Sequence, residues 1–261
     1  LKPYLPFPEG SLLFDACGDK VLFQEWCESN EIPVPKAYRA NDWNEVIERA
    51  MAMSYPFILK GAEGSRGVEV HLIRSQSELA DVPRNSSIQK HWLLQQYIDG
   101  AVGYTSIIAK DGQLYGTSSC YKHVSLSGGL GPAAVLKYVA NAELERIAQM
   151  VAEKSGLTGI GGFDWMEAAE GEYKIIDPHL GRGPVTAAVS CHVGIDLGRA
   201  YHRSLTGAAP EPFSTAGDRI VWVMPQMINI LFDGRILEAI KKANPFSSNV
   251  SFFWYGKGDL R

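Results

Sequence analysis

The chain reads as an α+β fold, and three stretches carry that reading. In Pro56–Ile73, PFILKGAEGSRGVEVHLI, an apolar run delivers Lys60 to a turn with glycines at 61, 64 and 67, and a second β-rich run leads away, the pattern of a hairpin with a cation at its base. Residues 104–118 hold two strand patterns joined by Lys110-Asp111-Gly112, whose Asp-Gly pair suits a tight hairpin turn. A long amphipathic pattern over Ala142–Ser155 leads to two further strand patterns, Gly162–Met166 and Tyr173–Asp177, on either side of Glu170-Gly171.

In chain order, residues 1–14 are rich in proline and predict an extended linker or strap, punctuated by Asp15–Gly18. A helix follows over about Asp19–Asn30, with Asp19 as its cap and Lys20 in its first turn. A cation there gains nothing from the helix dipole, so Lys20 is either incidental or waiting for an anion. Glu31–Pro35 is extended, because each proline biases its predecessor away from helix. Asn41 or Asp42 opens a second amphipathic helix over Trp43–Met53. After the lysine hairpin come a helical stretch at Ser75–Ala80, a polar loop at Val82–Ser87 and an apolar strand at Trp92–Ile98. Strands at Tyr104–Ala109 and Gln113–Ser118 precede a glycine-rich loop, Ser125–Pro132, which leads to the long helix. Residues 186–206 carry a helical pattern, roughly the last 45 residues alternate strand and helix signals, and no internal repeat is visible.

Composition bounds the function. At 261 residues the chain holds one large domain or two modest ones, and 46% hydrophobic with 21% charged residues is ordinary for a globular protein. A net charge of -4 and a pI of about 5.9 lack the basic surface of a nucleic-acid binder. No apolar run approaches the ~18 residues of a membrane span. The four cysteines, at 17, 27, 120 and 191, form no C-x-x-C pair and read as reduced thiols of a cytoplasmic protein. The chain begins at Leu1, and prolines and charge interrupt LKPYLPFPEGSLL, unlike a secretion signal.

Two places carry chemistry. The glycines around Lys60 let backbone N–H groups approach an anion, so phosphate suits the hairpin; a flexible loop with a solvated lysine is the alternative. Neither a Walker A loop nor a G-x-G-x-x-G helix start is present. In GGFDWME, strand alternation sets Asp164 opposite Phe163 and Trp165, and Asp177 ends the apolar strand of KIIDPHLGR. Paired across the Glu170-Gly171 turn, both carboxylates face one cavity. Their charge there requires either a divalent cation such as Mg²⁺ or a salt bridge from Asp177 to Arg182 or His179.

Taken together, Asp19-Lys20 before a helix, Ile32-Pro33-Val34-Pro35, PFILKGAEGSRGVEV, LLQQYIDG, GGFDW and IIDPHLGR resemble the ATP-grasp superfamily, and within it the carbamoyl-phosphate-synthase and biotin-carboxylase branch. The resemblance runs from about Asp19 to Gly207. It implies an α+β ATP-grasp fold of two subdomains with nucleotide between them. Residues 19–95 would form the small lid and 96–207 the large, metal-binding subdomain, flanked by an N-terminal segment at 1–18 and a C-terminal extension at 208–261. Similar enzymes carry a further α/β domain ahead of the aspartate-lysine helix. Since few residues precede Lys20, that domain is expected to be missing or truncated.

The resemblance also implies roles. Lys20 and Lys60 match the two lysines that hold nucleotide phosphates. Gly64, Ser65, Arg66 and Gly67 match the mobile loop over the β- and γ-phosphates, and Gln95, Gln96, Tyr97 and Ile98 match the linker whose backbone reads adenine. Asp164 falls at the first metal-binding acid and Asp177 at the Asn of Glu-x-Asn-Pro-Arg, with His179 where that motif has arginine and Arg182 three residues on. The chain departs from the pattern at Ile175, which stands at the motif's glutamate, and at Ala101, Val102 and Gly103, where a glutamate often follows the linker glycine. Asp177 can take over for the lost acid, which points to one metal ion.

The implied cofactors are ATP and Mg²⁺. The implied reaction is an ADP-forming ligation of a small-molecule carboxylate to an amine, or to a thiol, through an acyl phosphate. Arg182 would hold the substrate carboxylate or the tetrahedral oxyanion, and His179 would assist or act as base. Lys122 and His123 are further candidates for substrate contact, and a homodimer is the expected assembly. Two rivals remain: a nucleotide-binding module without turnover, motivated by Ile175, and a phosphotransferase that releases the phosphorylated product.

Overall fold

In a computed structural model, residues 5–63, 70–83, 91–126, 132–169, 171–183, 188–211 and 218–253 are described. The N-terminal segment departs from its extended expectation, because Leu13–Ala16 forms a helical turn, α1. Phe7 and Leu13 are both buried in the largest apolar cluster, and the Pro6 carbonyl accepts from Thr158 N at 2.8 Å. One turn of helix brings both apolar side chains to the same core.

Local chemistry sets the next helices where the sequence expects them. Helix α2, Lys20–Ser29, starts at Asp19, whose carboxylate accepts from Val21 N and Leu22 N at 2.8 and 3.1 Å. Such a cap stabilises a helix by ~1 kcal/mol. Asp42 caps α3, Trp43–Ala50, and Ser75 caps α4, Gln76–Ala80. These helices flank a four-stranded antiparallel sheet of β1 (Ala37–Ala40), β2 (Phe57–Gly61), β3 (Val70–Ile73) and β4 (Trp92–Gln96), in the order β1-β4-β2-β3. Strands β2 and β3 are the expected hairpin; its loop, with Gly64, Ser65, Arg66 and Gly67, lies outside the described residues. Phe57, Leu59 and Leu94 face α3 and α4. By alternation Lys60, Leu93 and Gln95 face the other way, where Leu93 packs with Val21 of α2.

The second sheet has seven strands: β5 (Val102–Lys110), β6 (Gln113–Ser125), β7 (Ala133–Val139), β8 (Gly159–Ala169), β9 (Glu172–Pro178), β10 (Arg219–Val223) and β11 (Val250–Phe253). Their order is β11-β10-β7-β6-β5-β8-β9, antiparallel except for the β10–β11 pair. Strand β7 was not expected: Ala133–Val139 is a short apolar run without clear alternation, and pairing with β6 and β10 makes it a strand. Helix α5, Ala142–Ser155, is as expected and covers Ile107, Phe163 and Trp165 on one face. The 186–206 pattern is not one helix. A 3₁₀ turn at Ser190–Val193 ends at Gly194 with φ 85°, and α6, Leu197–Thr206, restarts at its cap Asp196. Helix α6 and that turn cover the opposite face, around Ile108, Tyr115 and Tyr138.

The C-terminal strands β10 and β11 complete this second sheet. Helices α7 (Met224–Phe232) and α8 (Ile236–Lys242) pack Ile230 and Ala239 against Val135 and Trp222. No helix among the described residues is long and apolar enough to cross a membrane.

Candidate nucleotide and metal site

Lys60 ties the two sheets together. Its Nζ donates to Gln95 Oε1 on β4 at 2.7 Å and to the Ile176 carbonyl on β9 at 3.0 Å, and the side chain is buried. Gln95 Nε2 donates in turn to Gln24 Oε1 of α2 at 3.2 Å, and Gln24 Nε2 reaches Glu28 Oε1 and the Pro35 carbonyl at 2.8 and 2.9 Å. Gln95 therefore turns its side chain into the joint between sheets. Gln96 is exposed and its N donates to the Lys36 carbonyl at 2.8 Å; Tyr97 and the buried Ile98 continue the linker.

Lys20 sits at the near end of α2, where its backbone N donates to the Ala62 carbonyl at 2.9 Å. Burial pushes the Lys60 ammonium down to about 8, and the charge of Lys20 works in the same direction. Asp177 and Asp164 pull it up. Two lysines and two aspartates distant in sequence thus share one electrostatic neighbourhood.

The acid pair is made by register. Asp164 on β8 lies directly across from Asp177 on β9, while Trp165 pairs with Ile175, so Ile176 is an extra residue at a bulge. The bulge reverses alternation: Ile175 joins Trp165 in the core, and Asp177 joins Asp164 on the opposite face. Ile175 is therefore a packing residue at the position where the resemblance has a metal-binding glutamate.

Asp164 divides its two oxygens. Oδ2 accepts from Lys122 Nζ at 2.6 Å, with both side chains largely buried. Oδ1 is buried without a hydrogen-bond partner. His179 Nε2 lies 3.7 Å from Asp164 and 3.6 Å from Asp177. Burial opposes ionisation of Asp164, but His179 and Lys122 outweigh it and hold the carboxyl below its ordinary range. Arg182 Nη2 contacts His179 Nδ1 at 2.7 Å and the Pro178 carbonyl at 3.1 Å. A guanidinium only donates, so Nδ1 accepts and the imidazole proton is assigned to Nε2, facing the carboxylates.

Candidate ligand atoms of Asp164, Asp177 and His179 all lie within 4.8 Å of one another. The donor set fits one divalent cation, because a buried carboxylate oxygen without a partner faces a second carboxylate. The Nε2–H of His179 makes that ring a hydrogen-bond donor toward the acids rather than a ligand. Tyr104, across from Asp164 on β5, has its hydroxyl buried without a partner and its ring 5.5 Å from that of His179. Burial, with Asp164, keeps this phenol protonated.

Other candidates lie elsewhere. His123 Nε2 meets the Lys242 carbonyl at 2.9 Å, engaged with the C-terminal helices. A cleft of about 280 Å³ between α2, β1 and α3 is lined by Glu25, Glu28, Arg39 and Arg49 and does not include the acid pair.

The ATP-grasp domain family matches residues 17–177, more than half of the chain. The chain belongs to the ATP-grasp domain family. The arginine-specific carbamoyl phosphate synthase large chain of Geobacillus stearothermophilus is 22% identical over 223 residues, which cover 83% of this chain and 21% of that protein. The carbamoyl phosphate synthase large chain of Thermoplasma acidophilum is 23% identical over 258 residues, covering 88% and 24%. This ATP-grasp chain thus spans less than a quarter of the length of these two relatives.

Among solved structures, the ADP complex of N5-carboxyaminoimidazole ribonucleotide synthetase matches with a TM-score of 0.67 at 14% identity, covering 88% of this chain and 63% of that one. The biotin carboxylase domain dimer of Hydrogenobacter thermophilus 2-oxoglutarate carboxylase, in complex with ADP, magnesium and bicarbonate, gives 0.63 at 17%, covering 80% and 50%. These likenesses establish the ATP-grasp fold.

Sequence reasoning missed three contacts around this candidate site: Lys122 on Asp164, Tyr104 across from it, and Gln24 behind Gln95. Alternation along CYKHV sets Cys120 and Lys122 on one face. Which acid that face meets depends on strand order, which no local signal carries.

Proposed function

We propose that this ATP-grasp domain binds ATP at the junction of its two sheets and acts as a carboxylate ligase. The γ-phosphoryl passes to a carboxylate oxygen and ADP leaves. An amine nitrogen, or a thiol sulfur, then attacks the acyl carbon and inorganic phosphate departs. Phosphoryl transfer depends on positioning and charge neutralisation rather than on covalent help from the protein.

The observation that carries the reading is Lys60, a buried cation whose hydrogen bonds among the described residues go to neutral oxygens, within the electrostatic reach of Lys20, Asp164 and Asp177. Lys60 and Lys20 bind the phosphates, Asp164 and Asp177 would hold Mg²⁺, and the backbone of Gln96 to Ile98 lies along adenine. When bound, Mg²⁺ supplies further neutralisation of phosphate charge. His179, fixed by Arg182, keeps its proton aimed at the acids, and the remaining guanidinium donors of Arg182 would bind the substrate carboxylate. The substrates are small molecules, and a homodimer is the assembly that light scattering would test.

The experiment is incubation with ATP, Mg²⁺ and pools of carboxylates and amines. Amine-dependent release of ADP and phosphate is expected; a stable phosphorylated product would overturn the ligase reading in favour of a phosphotransferase. A second reading rests on the Lys122–Asp164 pair and the burial of Ile175: a module that holds nucleotide without turnover. Nucleotide binding with no ADP from any pool would favour it.

A further inference from the structure

Asp164 and Asp177 stand across from each other at the β8–β9 bulge, and the surrounding side chains do not treat the two carboxylates alike. Lys122 projects from β6, separated from β9 by β5 and β8, and among the described residues its ammonium bonds Asp164 Oδ2, at 2.6 Å. Both side chains are about 16% exposed, so water screens the pair weakly. Oδ1 of the same carboxylate is buried without a hydrogen bond, with His179 Nε2 3.7 Å away. His179 presents an N–H to the pair, by the Arg182 contact, and Ile175 is turned into the core.

We propose that Lys122 is a resident cation of the acid site: its ammonium permanently occupies one oxygen of Asp164, so that the site takes a single divalent ion through Asp164 Oδ1 and Asp177, and takes it less tightly than two free aspartates would. The inference rests on the metal-binding part of the proposed function but needs no nucleotide. Lys122 is thus a positioning residue. It holds the Asp164 carboxylate in one orientation and sets how much negative charge remains for the ion. An ammonium within a few ångströms of a bound cation repels it, and removing that charge strengthens divalent binding by about tenfold or more at intermediate dielectric.

The test is titration of the purified chain with Mn²⁺ alone, an oxygen-seeking stand-in for Mg²⁺, followed by electron paramagnetic resonance of the free ion. The native chain is expected to bind one Mn²⁺, and Asp164→Asn to lose most of that binding. Lys122→Met and Lys122→Gln are expected to bind Mn²⁺ about tenfold more tightly, whereas Lys122→Arg, which keeps the charge, stays near the native affinity. Two neutral variants guard against one failing to fold, and their circular dichroism is compared with that of the native chain. No Mn²⁺ bound by any form, two ions on the native chain, or unchanged affinity in both neutral variants would overturn the proposal. Because nucleotide is absent, failure here leaves the ATP-binding assay to stand or fall separately.

Discussion

Lys60 carries its charge into a buried joint where its bonded partners are the amide oxygen of Gln95 and the carbonyl of Ile176, both neutral. A cation so placed costs the ligand-free fold stability and gains it back when an anion arrives. Replacing it, as Lys60→Ala, removes charge-assisted hydrogen bonds and is expected to weaken nucleotide binding by roughly 10- to 100-fold in calorimetry. Its native pKa of about 8 lies below the ordinary 10.5. Between those values the unfolded chain holds the proton and the folded chain does not, so this group makes stability rise with pH across that window. Lys60→Met should therefore exceed the native chain in melting temperature near neutral pH and lose that advantage as pH climbs through the window. Nucleotide affinity of the native chain should fall over the same range. Asp177→Asn keeps the shape and removes one charge from the acid pair; Mg²⁺-dependent turnover is expected to drop on the order of 10²-fold, and full activity would sever Asp177 from the metal.

The elements converge because of two local backbone devices. The bulge at Ile176 turns Asp177 toward Asp164, and a glycine lets β5 lie under a tryptophan. A Cβ at Gly103 would come within 2.1 Å of the Trp165 ring, which is fully buried. Of Ala101, Val102 and Gly103, the stretch where the resemblance often has a glutamate, Gly103 has no room for any side chain. Gly103→Ala is expected to destabilise by about 1–3 kcal/mol, read as a lower melting temperature with retained nucleotide binding; a native-like melt would mean that Trp165 shifts freely.

At the scale of the molecule, residues 218–253 are part of the second sheet. Strand β10 pairs along β7, and Trp222, Met227, Ile230 and Ala243 bury Val124 and Val135. Ending the chain at Glu211 would bare those side chains and open the β7 edge. Loss of a cooperative melt and aggregation in sedimentation are expected, and a soluble, cooperatively folding product would make the segment dispensable.

Much of this was written locally. Asp19, Asp42 and Ser75 cap their helices because short polar side chains beside helical runs satisfy the first free N–H groups. The lysine hairpin and the long helix Ala142–Ser155 followed from periodicity, and the ordered motifs led to the ATP-grasp family. What depended on strand order and register stayed hidden: β7, the bulge that buries Ile175, the inward turn of Gln95, and Lys122 meeting an acid 42 residues away. Local sequence determines backbone state through hydrogen-bonding and side-chain periodicity. Only the assembled sheets decide which charges, distant along the chain, must neutralise one another.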